Sequence, residues 1–441
     1  MTFIDKLKHT ALTDRLLRRP PGLYDSARRT IALVDSYSDV QRAEWTAARL
    51  KKILAAARKL PAYQNAPQSD DLKDWPILRK PDLMGREGTF VTPGLLPKSP
   101  GATGGTTGQP MRVARNQSGV AFEQATLDML CQKAGVDLAS ARVAVLRGDS
   151  IKNPSDTSPP FWIDEGPRKR IFSAHHLGAR SIGFYEKALR DYAPEALFCY
   201  PSSLSNLLNL LGDHAPQIPL VFASSEMLAD DTAALARRRL GARVINYYGH
   251  AERIVAAADI DGEGMRFLPA YGHVELIPDG DGTAKIVATS LWDHGQVFVR
   301  YETGDRIRVP SHDPETLGRI ARGSLPFAGV EGRDSEYVEL AGNRRIIGLN
   351  HIPRDVVGAA SIQLFHSAER TLDIFIVPDA AFGEHTKHVI CANLALKFPK
   401  DVTARFVLVD GPVREPNGKA PLLLRRPILA QVKPHTSPEL V

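Results

Sequence analysis

Cysteine is nearly absent: Cys131, Cys199 and Cys391 are the only three among 441 residues. So sparse and scattered a set makes neither a disulfide framework nor a structural zinc site, and it suits a reducing compartment, taken here to be the cytoplasm. No apolar run approaches the ~18–20 residues needed to span a bilayer, so no membrane span is expected. The opening MTFIDKLKHTALTDRLLRR carries charge throughout and lacks the apolar stretch of a secretory leader. Aromatic residues make up 7% of the chain and are not interleaved with the basic ones. With no nucleic-acid-binding motif either, no nucleic-acid partner is expected.

What charge there is lies unevenly. The net charge is +6, and residues 1–60 hold 13 Lys/Arg against 6 Asp/Glu, so the remainder is close to balance. In QRAEWTAARLKKILAAARKL (41–60) apolar residues recur at helical spacing with basic ones opposite, which reads as the solvated face of a helix. Glu384, His385 and His388 also have helical spacing but lack further ligands, and again read as a solvated face.

At 441 residues the chain exceeds what one core usually serves, so two domains are expected. The first 75 residues read as helices interrupted at Pro20-Pro21. From residue 118, helical patterns alternate with apolar strand patterns: RVAVLRG, ALFCYP, PLVFAS and RVINYY are separated by SSLSNLLNLLGDH and DDTAALARRRLG. That alternation is the signature of a largely parallel sheet covered by helices. Residues 265–310 change to strands joined by Gly/Asp turns, as in an appended antiparallel sheet or barrel. A smaller α+β unit follows, with EYVELAGNRRIIG as a hairpin, then TLDIFIVP, a helix near 384–398, and ARFVLVD. The fold class is therefore α/β, with a large N-terminal domain over residues 1–335 and a small C-terminal domain over 336–441.

The stretch SPGATGGTTGQP (99–110) packs four glycines and three threonines into a dozen positions. Consecutive glycines let backbone N–H groups approach an anion, and threonine hydroxyls add donors. It is neither a Walker loop, since no GK[ST] closes it, nor a dinucleotide fingerprint. By itself such a loop is more often a plain linker.

Further stretches follow in order: FASSEML (222–228), INYYGHAE (245–252), RYETGD (300–305), GRDSE (332–336) and PNGK (416–419). Together with TGGTTGQP they resemble the adenylate-forming enzymes, the superfamily of acyl-CoA ligases, peptide-synthetase adenylation domains and luciferases. WPILRKPDL (75–83) and YPSSLSNLL (200–208) are similar to the phenylacetate–CoA ligase branch and its capsule-biosynthesis relatives. The resemblance covers roughly residues 60–420.

It implies that a small-molecule carboxylic acid, aryl or short acyl, reacts with ATP to give an acyl-adenylate and pyrophosphate. The acyl group then passes to an acceptor, CoA first among the candidates, with an amine or hydroxyl of a sugar or natural product as the alternative. A nucleotide-binding relative that has lost catalysis is a third reading. By resemblance, Thr103, Thr106, Thr107 and Gly108 close over the β- and γ-phosphates. Ser225 and Glu226 line the adenine and acyl pockets; Asn246, Tyr248 and Gly249 match the next strand end, where Asn246 meets the adenine edge and the Tyr248 ring stacks on it. Glu252 matches the Mg²⁺ ligand, Asp305 the acceptor of ribose hydroxyls, and Arg333 follows it in the nucleotide site. Glu336 falls at the hinge of the small domain. Lys419 matches the lysine that reaches the α-phosphate. Two positions depart from the pattern: Gln109 where many relatives have lysine, and Ala251 where they have Thr or Ser. Arg344 and Arg345 are candidates for CoA phosphates or simple turn cations. His175 and His176 lie in a loop of unfixed role. SHDPETLGR (311–319) has no cysteine, so no zinc is expected.

Overall fold

The computed structural model describes residues 16–94, 98–102, 111–147, 151–152, 156–280, 282–292, 295–331, 338–340, 344–346, 349, 352–353, 356–368, 370–395, 398, 402–414, 420–424 and 439–440. The chain forms two compact units, each of two segments: unit 1 is residues 1–139 with 245–333, and unit 2 is residues 140–244 with 334–441.

Unit 1 opens with helices α1 (Leu23–Ser36) and α2 (Asp39–Ala57). The second starts at a capping box, in which the Ser38 and Gln41 side chains each bond the other's backbone N–H. A hairpin of β1 (Ser99–Ala102) and β2 (Arg112–Arg115) brackets the glycine-rich stretch, and α3 (Gln117–Lys133) follows with Asn116 as its cap. Helix α1 is tied to α3 by Asp128, whose carboxylate takes two bonds from Arg19 at 2.7 and 2.8 Å and the hydroxyl of Tyr24.

In unit 2 the chain runs through β3 (Val143–Arg147), β4 (Trp162–Asp164), β5 (Lys169–Ser173), helix α4 (Ile182–Tyr192), β6 (Ala196–Cys199), helix α5 (Pro201–Leu211), β7 (Leu220–Ser224) and helix α6 (Asp230–Leu240). Strands β7, β6, β3 and β5 lie side by side in parallel, with β4 antiparallel at the edge. Every residue of β6 and β7 is buried, as expected where helices cover both faces. Leu204, Leu207 and Leu208 of α5 and Ala233 and Ala236 of α6 pack into that core. Helix α6 places Asp230 and Asp231 in its first turn and three arginines in its last, matching the sign of the helix dipole.

Back in unit 1, β8 (Arg243–Gly249), which starts at the junction, pairs from Ile245 onward with antiparallel β9 (Ala256–Ile260), and β9 pairs with β10 (Arg266–Phe267). Strands β11 (Gly272–Asp279), β12 (Thr283–Ser290), β13 (Tyr301–Arg308) and β14 (Val330–Glu331) then form an antiparallel sheet, with helix α7 (Pro314–Ala321) between the last two. Their inner face shares one core with Ile53 and Leu54 of α2, and with Trp75, Leu83 and Phe90.

The second segment of unit 2 has the hairpin β15 (Val338–Leu340) and β16 (Arg344–Ile346), then β17 (Ala359–Ala368), β18 (Thr371–Pro378), helix α8 (Glu384–Ala395), β19 (Thr403–Leu408) and β20 (Glu439–Leu440). It meets the first segment of its unit through Ser205 of α5, whose hydroxyl donates to the Ala360 carbonyl at 2.8 Å.

Candidate functional site

Asp305 owes its position to a break in sheet register. On β13, Glu302 faces Val287 and Arg306 faces Lys285, so three residues, Thr303 to Asp305, stand opposite Ile286 alone. Gly304 makes this bulge possible, because its φ of +80° is strained for any residue with a Cβ. The Thr303 hydroxyl closes it, donating to the Ile286 carbonyl at 3.1 Å and accepting the Asp305 N–H at 3.1 Å. A threonine–glycine–aspartate run is thus a device for turning one carboxylate out of the ladder.

That carboxylate is 5% exposed and needs partners, since an unpaired buried charge is costly. Tyr248 supplies its hydroxyl to Oδ2 at 2.8 Å, and Nε2 of His250 stands 3.1 Å from the same oxygen. His250 also bonds the Tyr248 hydroxyl, closing a three-membered cluster. Tyr248 and His250 share a direction because they lie two residues apart at the end of β8. Tyr247 points the other way, into a buried cluster with Glu123, Tyr271 and Arg253. Burial first, and then the Glu123 charge, pushes both tyrosine hydroxyls well above their ordinary pKa.

Glu252 is buried at 8% exposure, and Tyr301 donates to its Oε1 at 3.2 Å. Among the described residues no hydrogen bond engages its second oxygen. A single carboxylate with a spare oxygen fits Mg²⁺ held jointly with substrate phosphates, the usual manner for that ion. An all-protein cage does not exist here: among the described residues no three acidic, histidine or cysteine side chains group to hold a metal.

In unit 2 the carboxyl ends of β3 and β7 bring Arg147 and Ser224 together, Nη2 to Oγ at 3.3 Å. Such strand ends are where open α/β sheets take ligands. Ser225, next in line, holds a left-handed backbone (φ +74°) that a serine seldom adopts. Glu226 turns its carboxylate to two backbone amides, Ser202 at the start of α5 at 2.9 Å and Ala420 at 2.8 Å. Arg414 lies close by, its pKa lowered by burial against the raising effect of Glu226.

The site expected from sequence is therefore placed in part. Tyr248 and Asp305 come together, with Glu252 three residues beyond the end of β8; Asn246 is half-buried on the same strand, opposite Asp259. Gly249 ends it, exposed, where an added Cβ would meet the Tyr247 ring at 2.8 Å. Ser225 and Glu226 belong to unit 2, and the Glu226 oxygens are taken up by amides. Thr103, Thr106, Thr107, Gly108, Gln109, Arg333, Glu336 and Lys419 lie outside the described residues. Ala251 is half-buried, and its carbonyl accepts Nη2 of Arg115 at 2.9 Å. His176 is engaged by Ser173 at 2.7 Å and stacks on Phe161. Glu384, His385 and His388 are all exposed on α8. Sequence reasoning missed His250, Tyr301, Arg115 and Arg147. His250 sat inside a quoted motif, but only the bulge in β13 gives it a carboxylate to meet.

The fold is that of the adenylate-forming enzymes. Over 88% of this chain and 90% of the other, it aligns with 2-hydroxyisobutyryl-CoA ligase in the postadenylation state, in complex with R3-HIB-AMP, at a TM-score of 0.57 and 15% identity. The complex of that ligase with 2-HIB-AMP aligns equally well. Among curated proteins the chain is similar to Protein CapK of Staphylococcus aureus, at 19% identity over 328 residues, 72% of each chain. No protein-family model matches the chain. Among the described residues no helix is long and apolar enough to cross a membrane.

Proposed function

We propose that the protein is an adenylate-forming ligase that activates a small carboxylic acid, aryl or short acyl, and passes the acyl group to CoA. The observation that carries this reading is the bond between the Tyr248 hydroxyl and the Asp305 carboxylate. It ties a ring suited to stacking on a base to an acceptor suited to ribose hydroxyls, with Glu252 close along the chain. A solved relative of the same fold holding an acyl-AMP supports it.

In the first half-reaction a carboxylate oxygen of the acid attacks the α-phosphorus of ATP, and the bond to the β-phosphate oxygen breaks to release pyrophosphate. In the second, the CoA sulfur attacks the acyl carbonyl, loses its proton, and AMP departs. Asn246 and Tyr248 hold the adenine on the platform ended by Gly249, Ser225 and Glu226 border the adenine and acyl pockets, and Asp305 and Arg333 hold the ribose side. Thr103, Thr106, Thr107 and Gly108 enclose the outer phosphates. Mg²⁺ held through Glu252 would neutralise phosphate charge. Lys419 contributes a cation to the α-phosphate during adenylation, and residues 336–441 turn about Glu336 between the two steps.

ATP–pyrophosphate exchange over a broad panel of aryl and short acyl acids tests the reading. Acid-dependent exchange is the expected result; nucleotide binding without exchange for any acid would leave a binding protein of the same fold. With the accepted acid, CoA competed against hydroxylamine and amino sugars identifies the acceptor.

A further inference from the structure

The glycine-rich stretch can offer a polyphosphate amides and hydroxyls, but no cation: nothing between Lys98 and Arg112 is positively charged. A charge so concentrated ordinarily calls for Lys, Arg or metal close at hand. The stem of the hairpin holds a guanidinium with the capacity to serve. Arg115 pairs with Ser99 in the β1–β2 register, while Gly101 pairs with Val113, two residues nearer the glycine-rich stretch. Yet a Cβ placed on Gly101 would sit 2.9 Å from Cζ of Arg115. The side chain therefore leans diagonally across the hairpin over Gly101, in room that only glycine leaves. Its Nη2 reaches the carbonyl of Ala251, next to Glu252, at 2.9 Å.

Nε of Arg115 is buried without a hydrogen-bond partner, and among the described residues Arg115 makes no ion pair. Glu123, the nearby carboxylate that might have claimed it, is engaged by Tyr247, Tyr271 and Arg253. Burial, with a further push from Arg253, lowers the Arg115 pKa against the raising effect of Glu123, Tyr271 and Glu252. A buried donor left idle calls for an explanation, and an arriving anion provides one.

We propose that Arg115, held beside Glu252 through the Ala251 carbonyl, is a phosphate-binding residue whose guanidinium donates to the pyrophosphate portion of the bound nucleotide. This rests on the reading of the site as an ATP site. The test is calorimetric titration of the full-length protein, in Mg²⁺ buffer, with ATP, AMP and inorganic pyrophosphate, comparing wild type with Arg115→Gln and Arg115→Lys.

Arg115→Gln should weaken ATP and pyrophosphate by ~10–100-fold and leave AMP within about twofold, with Arg115→Lys in between. Unchanged ATP affinity in Arg115→Gln overturns the assignment and leaves the ATP reading intact. Equal loss of ATP and AMP also overturns it, making Arg115 a support for the Ala251 carbonyl. If Arg115→Gln does not fold, the lysine variant alone decides, by whether ATP weakens more than AMP. A wild type that binds pyrophosphate but neither nucleotide refutes the ATP reading, and Arg115 then stands or falls on pyrophosphate alone. A wild type that binds none of the three refutes both.

Discussion

Tyr248 and Asp305 are 57 residues apart in sequence and 2.8 Å apart at hydroxyl and carboxylate, joined because β8 ends where β13 bulges. Removing the carboxylate should act twice. Asp305→Ala forfeits charge-assisted bonds to ribose, about 1.5–3 kcal/mol, and should raise the Michaelis constant for ATP ~10–100-fold. It also takes from the Tyr248 hydroxyl and His250 the carboxylate they share, so the melting temperature should fall. Asp305→Asn, which keeps one acceptor, should recover more of the stability than of the ATP affinity. ATP kinetics unchanged in a folded Asp305→Ala would refute the ribose assignment.

Lys419 separates the two half-reactions. Lys419→Ala should cut pyrophosphate exchange by ~10²–10³, the usual effect of removing one electrostatic group from a transition state. Given prepared acyl-adenylate and the acceptor, the same variant should transfer at close to the wild-type rate. Equal losses in both assays would show that the lysine is not confined to one step.

The two departures from the family pattern make a gain-of-function experiment. Ala251→Thr with Gln109→Lys returns a hydroxyl and a cation to the phosphate region, and pyrophosphate exchange should quicken. A slower double variant would mean that the surroundings have adapted to alanine, whose carbonyl already serves Arg115.

Asp128 lets stability be tested apart from activity. It is 6% exposed and binds Arg19 and Tyr24, so Asp128→Ala should cost about 3 kcal/mol in urea unfolding by breaking a buried ion pair and its hydrogen bonds. Burial, followed by the bond to Asp128, raises the Tyr24 pKa from 10.0 to about 12. The folded state therefore holds this proton more tightly than the unfolded state. Its contribution is complete below pH 10 and lost as pH climbs towards about 12. Tyr24→Phe should flatten the fall in stability over that window, and an unaltered slope would contradict the shift.

The buried strands were legible because packing on both faces writes itself as apolar runs: VAVLR, ALFC and LVFAS are β3, β6 and β7. The helices over them and the 338–346 hairpin could be read for the same local reasons. Strand β9 could not, since AAADI has little intrinsic strand preference and is made a strand by its neighbours β8 and β10. Nor could β17, although its partner β18 was plain. In the candidate site, Tyr248 and Asp305 were legible as motifs. His250, Tyr301 and Arg115 were not, because each depends on a long-range juxtaposition that no local pattern encodes.

The interleaving of the two units bears on how the protein is made. As the polypeptide leaves the ribosome, residues 1–139 appear first but belong with 245–333, and 140–244 must wait for 334–441. Translation thus passes residue 333 of 441 before either unit has all its parts. Cutting the gene at 244/245 yields no piece containing a whole unit, and cutting at 139/140 keeps both segments of unit 2 on one piece but parts residues 245–333 from the first segment of unit 1; a product ending at 333 completes unit 1 and strands the helix-covered sheet of unit 2 without its second segment. Nascent chains of this kind expose apolar strands for longer than chains whose domains are consecutive, and depend more on chaperones to reach the end of synthesis unaggregated.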